Sequence, residues 1–220
     1  MKVFVLGTGR SGTKTFTRAC EHLTNFTVSH NSLREGAGFD HKWSVLQSKD
    51  QHIEVDDRIS WLLPVMERLH GDDAYYVHLW RDPAKVVRSY ARPRRLHSQG
   101  SLLSTFYHGI LGTPPEKKKV AAADATRAGE LCMEVINKNI ENFLENKSRR
   151  IFIDIDSPVE AFNRFLQEIG AEGDLEAAAA EFENIHDPGG GKGFLTQCRS
   201  FIYETKLLLL RAAGRMSKNP

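Results

Sequence analysis

Val3-Phe4-Val5-Leu6 runs directly into Gly7-Thr8-Gly9-Arg10-Ser11-Gly12-Thr13-Lys14-Thr15, and the fold is decided at this junction. Four apolar residues bounded by a Gly-rich turn read as a short buried strand. Beyond the turn, Phe16, Ala19, Cys20 and Leu23 fall at i, i+3, i+4 and i+7, one face of a helix. A strand that empties through a Gly- and hydroxyl-rich turn into a helix points backbone N–H groups and a helix N-terminus at one spot. An anion with several oxygens suits that spot. Arg10 and Lys14 add two positive charges, so the loop is expected to hold a phosphate or a sulfate.

Working outward, apolar and β-branched runs predict strands over 2–6, 26–30, 52–56, 75–80 and 151–155. Helices are expected over 12–23, 59–70, 83–92, 116–147 and 157–169, with a short one from Asp174 and a terminal one over about 195–215. The segment after the second strand reads as loop. Ser157-Pro158-Val159-Glu160 looks like a capping box with Pro at the first helical position, and Gly170 ends that helix. Alternating strands and helices predict a parallel sheet covered on both faces, a three-layer α/β/α fold, and with the Gly-rich loop after its first strand it resembles the P-loop NTPase kind. The whole chain, 1–220, is expected to be a single domain with the terminal helix at its periphery.

Composition is that of an ordinary globular domain. Hydrophobic residues make up 40% of the 220 and charged residues 26%, so disorder is not indicated. A net charge of +2 is too small to argue for nucleic acid. Cys20, Cys132 and Cys198 are far apart, with neither a disulfide framework nor metal-ligand spacing, and no metal is expected. A strand from residue 2 leaves no room for a signal peptide, and no apolar run approaches the roughly 20 residues of a membrane span. A cytoplasmic protein is therefore expected.

A second segment bears on which anion is held. Tyr75-Tyr76-Val77-His78-Leu79-Trp80 reads as a strand; Asp82 is then a plausible N-cap and Pro83 suits the first helical position. Arg81 thus sits at a strand's carboxyl end, where open α/β sheets bind ligands. The loop of ATPases and GTPases reads G-x-x-x-x-G-K-[ST]. Gly7 and Gly12 have that spacing, but Thr13 stands where the Lys would be, and Lys14 and Thr15 come one residue late.

Arg10-Ser11-Gly12-Thr13 instead resembles the 5′-phosphosulfate loop of sulfotransferases that use 3′-phosphoadenosine 5′-phosphosulfate (PAPS). In that family an Arg-Asp-Pro with a Ser eight positions after the Arg holds the 3′-phosphate, and Arg81 and Ser89 match in type and spacing. The strand at 151–155 with its following helix fits the family more loosely. The resemblance implies donor contacts from Gly9, Arg10, Ser11, Gly12, Thr13, Lys14, Thr15, Arg81 and Ser89. By position and composition alone, Lys192 in the Gly run 186–193 matches a late basic loop of the family; the run also reads as a simple linker. PAPS would be the donor, 3′,5′-adenosine bisphosphate (PAP) the product, and a small molecule or carbohydrate the acceptor. Arg10 and Lys14 would meet the charge on the leaving phosphate.

The acceptor needs a general base. The family places a Glu or His after the second strand or near the third. Glu35 and Asp57 are the leading candidates, then His30. Arg58 takes the place where some relatives have a sulfuryl-stabilising Lys, with Asp57 orienting it; helix-start chemistry is the plain alternative for Asp56-Asp57-Arg58. Arg92-Pro93-Arg94-Arg95 could meet an anion, Lys117-Lys118-Lys119 reads as a solvated face, and the stretch 101–108 is a candidate acceptor region. Two other readings stay open: an ATP-dependent kinase, disfavoured by the displaced Lys, and a non-catalytic nucleotide-binding protein.

Overall fold

A computed structural model describes residues 1–35, 38–90, 102–112 and 122–183. Lys192, the Gly run, the basic runs at 92–95 and 117–119 and the expected helix over 195–215 lie outside the described residues.

The strands are β1 (Lys2–Gly7), β2 (Thr27–His30), β3 (His52–Val55), β4 (Tyr75–Trp80) and β5 (Arg150–Asp154). The helices, in chain order, are α1 (Thr13–Cys20), α2 (Phe39–Gln47), α3 (Leu63–His70), α4 (Pro83–Tyr90), α5 (Leu102–Ser104, prolonged by a π turn), α6 (Ala122–Leu144), α7 (Val159–Glu168) and α8 (Leu175–Ala180). A 3₁₀ turn, Asp57–Trp61, follows β3.

β1 is wholly buried from Val3 onward, and its run is continuously apolar because both sheet faces are covered. Val3 and Val5 join the layer formed with α1 and α7, where the Phe16 ring lies 5.6 Å from both Phe162 and Phe165. Phe4 and Leu6 join the opposite layer with side chains of α3, α4 and α6. All strand pairs are parallel, in the order β2-β3-β1-β4-β5, with Val5 beside both Val55 and Val77. The expected three-layer α/β/α class is the one observed.

The chain first fills one side of β1, with β2 and β3, and then the other, with β4 and β5. Strand order therefore reverses at β1, and the crevice at the strands' carboxyl ends opens there. The loop after β1, the 3₁₀ turn after β3 and Arg81 after β4 all emerge at that crevice.

Three local expectations need correction. The helix expected over 59–70 is a 3₁₀ turn followed by α3, because Pro64 has no N–H to continue an α-helical ladder from the turn. α2 forms within the expected loop; only Leu46 of its residues is fully buried, so its apolar period is faint. Ser157 does not cap α7. Pro158 takes the N-cap position, and Ser157 N–H instead donates to the Asp154 carbonyl at 3.1 Å. Gly170 does stop the helix, at φ +63°. Among the described residues no helix is long and apolar enough to cross a membrane.

Candidate functional site

The loop after β1 is clamped at its start and strained at its turn. Ser60 Oγ accepts from Gly7 N–H and donates to the Gly7 carbonyl, both at 3.1 Å. A side chain at Gly7 would stand 2.6 Å from the Leu79 carbonyl oxygen, so β1 and β4 approach this closely only over a glycine. Arg10 has φ +74° and Gly12 φ +92°. For Arg10 the left-handed conformation costs about 1–2 kcal/mol, and such strain persists where the surroundings over-determine it. Gly12 is also the N-cap of α1 and has no side chain with which to cap the first-turn N–H groups. Ser11 Oγ, at 0% residue exposure, has no hydrogen-bond partner among the described residues. Burying a hydroxyl so costs about 1–3 kcal/mol. A loop that bears this cost beside an uncapped helix N-terminus fits an anion with several oxygens.

Arg10 and the β4–α4 junction meet. Arg10 Nε donates to Ser89 Oγ at 3.1 Å, and Arg81 Nη1 donates to the Arg10 carbonyl at 3.3 Å. Arg81 Nε is buried without a hydrogen-bond partner among the described residues and stands 3.9 Å from Asp156 Oδ1. Lys85 pairs with the other oxygen of Asp156 at 3.1 Å. Asp82 caps α4, accepting from Ala84 N–H at 2.8 Å, so it is committed to the helix and Arg81 is left to face the crevice. Residues that the sequence separates by more than 70 positions thereby share one locus.

The turn after β3 divides its two carboxylates by task. Asp56 is fully buried and structural: it accepts from Arg58 N–H at 2.9 Å as the turn's N-cap and from Leu33 N–H at 2.8 Å. Asp57 is free of capping duty. Its Oδ1 meets Arg58 Nη1 at 3.3 Å, and its other oxygen faces Gly9 of the loop. Burial, then the Asp56 charge, pushes the Asp57 carboxyl up to about 6, against the opposing pull of Arg58 and Arg34. A side chain at Gly9 would lie 2.4 Å from Asp57 Oδ2 and 2.0 Å from the Tyr90 hydroxyl, so loop, turn and α4 converge on the bare backbone of Gly9, and a side chain there would have to displace both. Tyr90 was not among the residues expected at the site; its burial in the last turn of α4, directly after Ser89, is the signal that points to it.

The residues after β2 are placed less evenly. His30 Nε2 stands 3.2 Å from Thr13 Oγ1, so this histidine touches the loop. Glu35 is exposed, and its carbonyl accepts from Lys42 Nζ. Lys14 is exposed and Thr15 half-buried at the start of α1. Among the described residues no three His, Cys, Asp or Glu side chains gather closely enough to hold a metal ion.

Fold and site together define an open α/β protein with a Gly- and hydroxyl-rich loop at the point where strand order reverses. No family model and no curated protein matches the chain by sequence. Among solved structures it is similar to mouse sulfotransferase SULT7A1 complexed with PAP. The match covers 85% of this chain and 68% of that one, with a TM-score of 0.51 and 13% identity. At that identity the likeness is one of fold.

Proposed function

We propose that this chain is a sulfotransferase that moves a sulfuryl group from PAPS to a hydroxyl or amine of a small-molecule or carbohydrate acceptor. One observation carries the reading. Arg10 of the loop, Arg81 after β4 and Ser89 of α4 are joined by hydrogen bonds at one place, the arrangement that a nucleotide with phosphates at both its 5′ and 3′ positions would need. The similar fold of a PAP-bound sulfotransferase supports it.

PAPS would supply the sulfuryl group and a 5′-phosphate that gains negative charge as the group leaves. The α1 N-terminus, the hydroxyls of Ser11, Thr13 and Thr15 and the Arg10 and Lys14 cations meet that charge; removing one such donor costs about 10²–10³ in rate. Arg81 and Ser89 take the 3′-phosphate, with Gly9 and Gly12 allowing close approach of the backbone. Arg58 stands where a cation can balance the sulfuryl oxygens, and Asp57 orients it. Asp57 is also the better-placed base, because it lies against the loop with a carboxyl raised towards neutrality, whereas Glu35 is exposed. Lys192 is retained as a further donor contact on its match to the family's late basic loop. The protein mainly positions groups and stabilises charge, and these residues need no metal for that.

Calorimetric titration with PAP and with ATP–Mg²⁺ tests the reading. PAP is expected to bind, and Arg81→Ala to weaken it by about 10- to 100-fold, the loss of a charged hydrogen bond. Binding of ATP–Mg²⁺ alone would overturn the proposal in favour of a kinase. Binding of neither would favour a protein that keeps the fold without the chemistry.

A further inference from the structure

His30 ends β2, and its ring reaches the phosphate loop rather than open solvent. Nε2 stands 3.2 Å from Thr13 Oγ1, while Asn31 Nδ2 lies 3.4 Å from Nδ1 and 3.2 Å from Nε2. When the Asn31 amide donates to Nδ1, Nε2 carries the ring hydrogen and donates it to Thr13; a second proton goes to Nδ1, and the Asn31 amide then turns its oxygen to accept from it. A threonine hydroxyl has one hydrogen; accepting from His30 leaves Thr13 to give its own elsewhere. Thr13 opens α1, next to the uncapped N–H groups and the buried Ser11 hydroxyl.

The charged groups around the ring come from four directions. Lys14 of α1 and Arg58 of the 3₁₀ turn oppose its protonation; Glu54 of β3 and Glu35 of the segment after β2 favour it. Burial opposes it most, and the net effect lowers the ring below its ordinary range, so His30 is neutral at pH 7. The negative charge of a phosphate dianion bound at the loop favours protonation of the ring. The ring then holds a proton more tightly in the bound protein than in the free one.

We propose that His30 is a positioning residue of the donor site rather than the acceptor's base: through Thr13 it aims a hydroxyl hydrogen at the 5′-phosphate, and it takes up a proton when that phosphate binds. The inference rests on the sulfotransferase reading for the identity of the anion. Its consequence is a proton-linked grip on the nucleotide. Affinity is highest below the ring's free pKa, falls as pH rises towards the bound pKa, and is level above it. Rising pH therefore eases release of the spent donor.

The test is calorimetry of PAP on the full chain from about pH 5.5 to about 8.5, in two buffers of different ionisation heat. Wild type is expected to take up a proton on binding and to lose about tenfold in affinity across the window for each unit by which the bound pKa exceeds the free one. His30→Gln can still donate to Thr13 but does not titrate. It is expected to lose the uptake and the steep pH dependence. The phosphates of PAP titrate near pH 6 in both proteins, so their contribution cancels in the difference. Identical pH dependence in the two proteins, with PAP bound by both, overturns this inference and leaves the sulfotransferase reading intact. No PAP binding at any pH overturns both. Should His30→Gln not fold, the imidazole proton resonance of His30 in wild type reads the same quantity: a midpoint unchanged by PAP overturns the inference, and one raised by it supports it.

Discussion

Asp57 packs one carboxyl oxygen against Gly9 and offers the other to Arg58, and its chemistry follows from that placement. Its folded pKa, about 6, lies above the ordinary carboxylate value of 3.8. The protonated form is thus the one the fold favours. Stability from this group is fully present below about pH 4 and is lost as pH rises through about 6. Asp57→Asn, which cannot ionise, is expected to raise the melting temperature by a few degrees at pH 7.5 and to leave it unchanged near pH 4, measured by thermal denaturation across that range. As the base, the same variant should lose about 10²–10⁴ in turnover of PAPS, and the acid limb of the wild-type pH–rate profile should fall near pH 6. An unshifted acid limb would remove Asp57 from the role. The doublet Asp56-Asp57 was legible as two carboxylates at a strand end. Which of them caps the turn was not, because either side chain can reach an N–H two residues on. The additional bond from Leu33 N–H, 23 positions away, commits Asp56.

At the scale of elements, the site is a meeting of three segments over one glycine. The loop after β1, the turn after β3 and the last turn of α4 touch at Gly9, where the Tyr90 hydroxyl and Asp57 stand on the bare backbone. Gly9→Ala must push both aside. Overpacking of this kind costs about 1–3 kcal/mol, so the variant should melt several degrees lower. The displaced Tyr90 also disturbs its neighbour Ser89, so PAP affinity should fall together with stability, by about tenfold or more in calorimetry. An alanine variant that binds PAP as wild type does would show that the three segments are not mechanically joined. Strand–loop–helix at 2–20 and strand–cap–helix at 75–90 were readable because their signals are local: an apolar run, a turn residue and a capping Asp. α2 and the break at Pro64 were less so. α2 buries a single residue fully, and a helix held by so small a face leaves little period in its sequence.

For the whole molecule, the sheet is what holds the loops in register. Phe16, one turn into α1, is fully buried between the sheet and the α7 rings. It anchors the helix whose N-terminus adjoins the loop after β1, so core and candidate site share one element. Phe16→Ala is expected to cost about 3–5 kcal/mol, seen as a lower denaturant midpoint in equilibrium unfolding, whereas a smaller loss would mean that the α1–α7 layer closes over the gap.

The class of fold is legible in the amino-acid sequence alone, and so are the candidate ends of an anion site, the loop at 7–15 and Arg81. Continuous apolar runs of four to six residues demand burial on both faces, which requires helices on both sides, and a Gly-rich turn between strand and helix directs N–H groups at one point whatever surrounds it. Which residues stand together is set by packing between distant segments of the chain. Strand order β2-β3-β1-β4-β5 is set by long-range packing, and it brings the ends of β3 and β4 to either side of the loop after β1. The contacts of His30 with Thr13, of Arg10 with Ser89, and of Tyr90 and Asp57 with Gly9 follow from that order. No local propensity encodes them, because each joins residues whose only relation is the sheet between them.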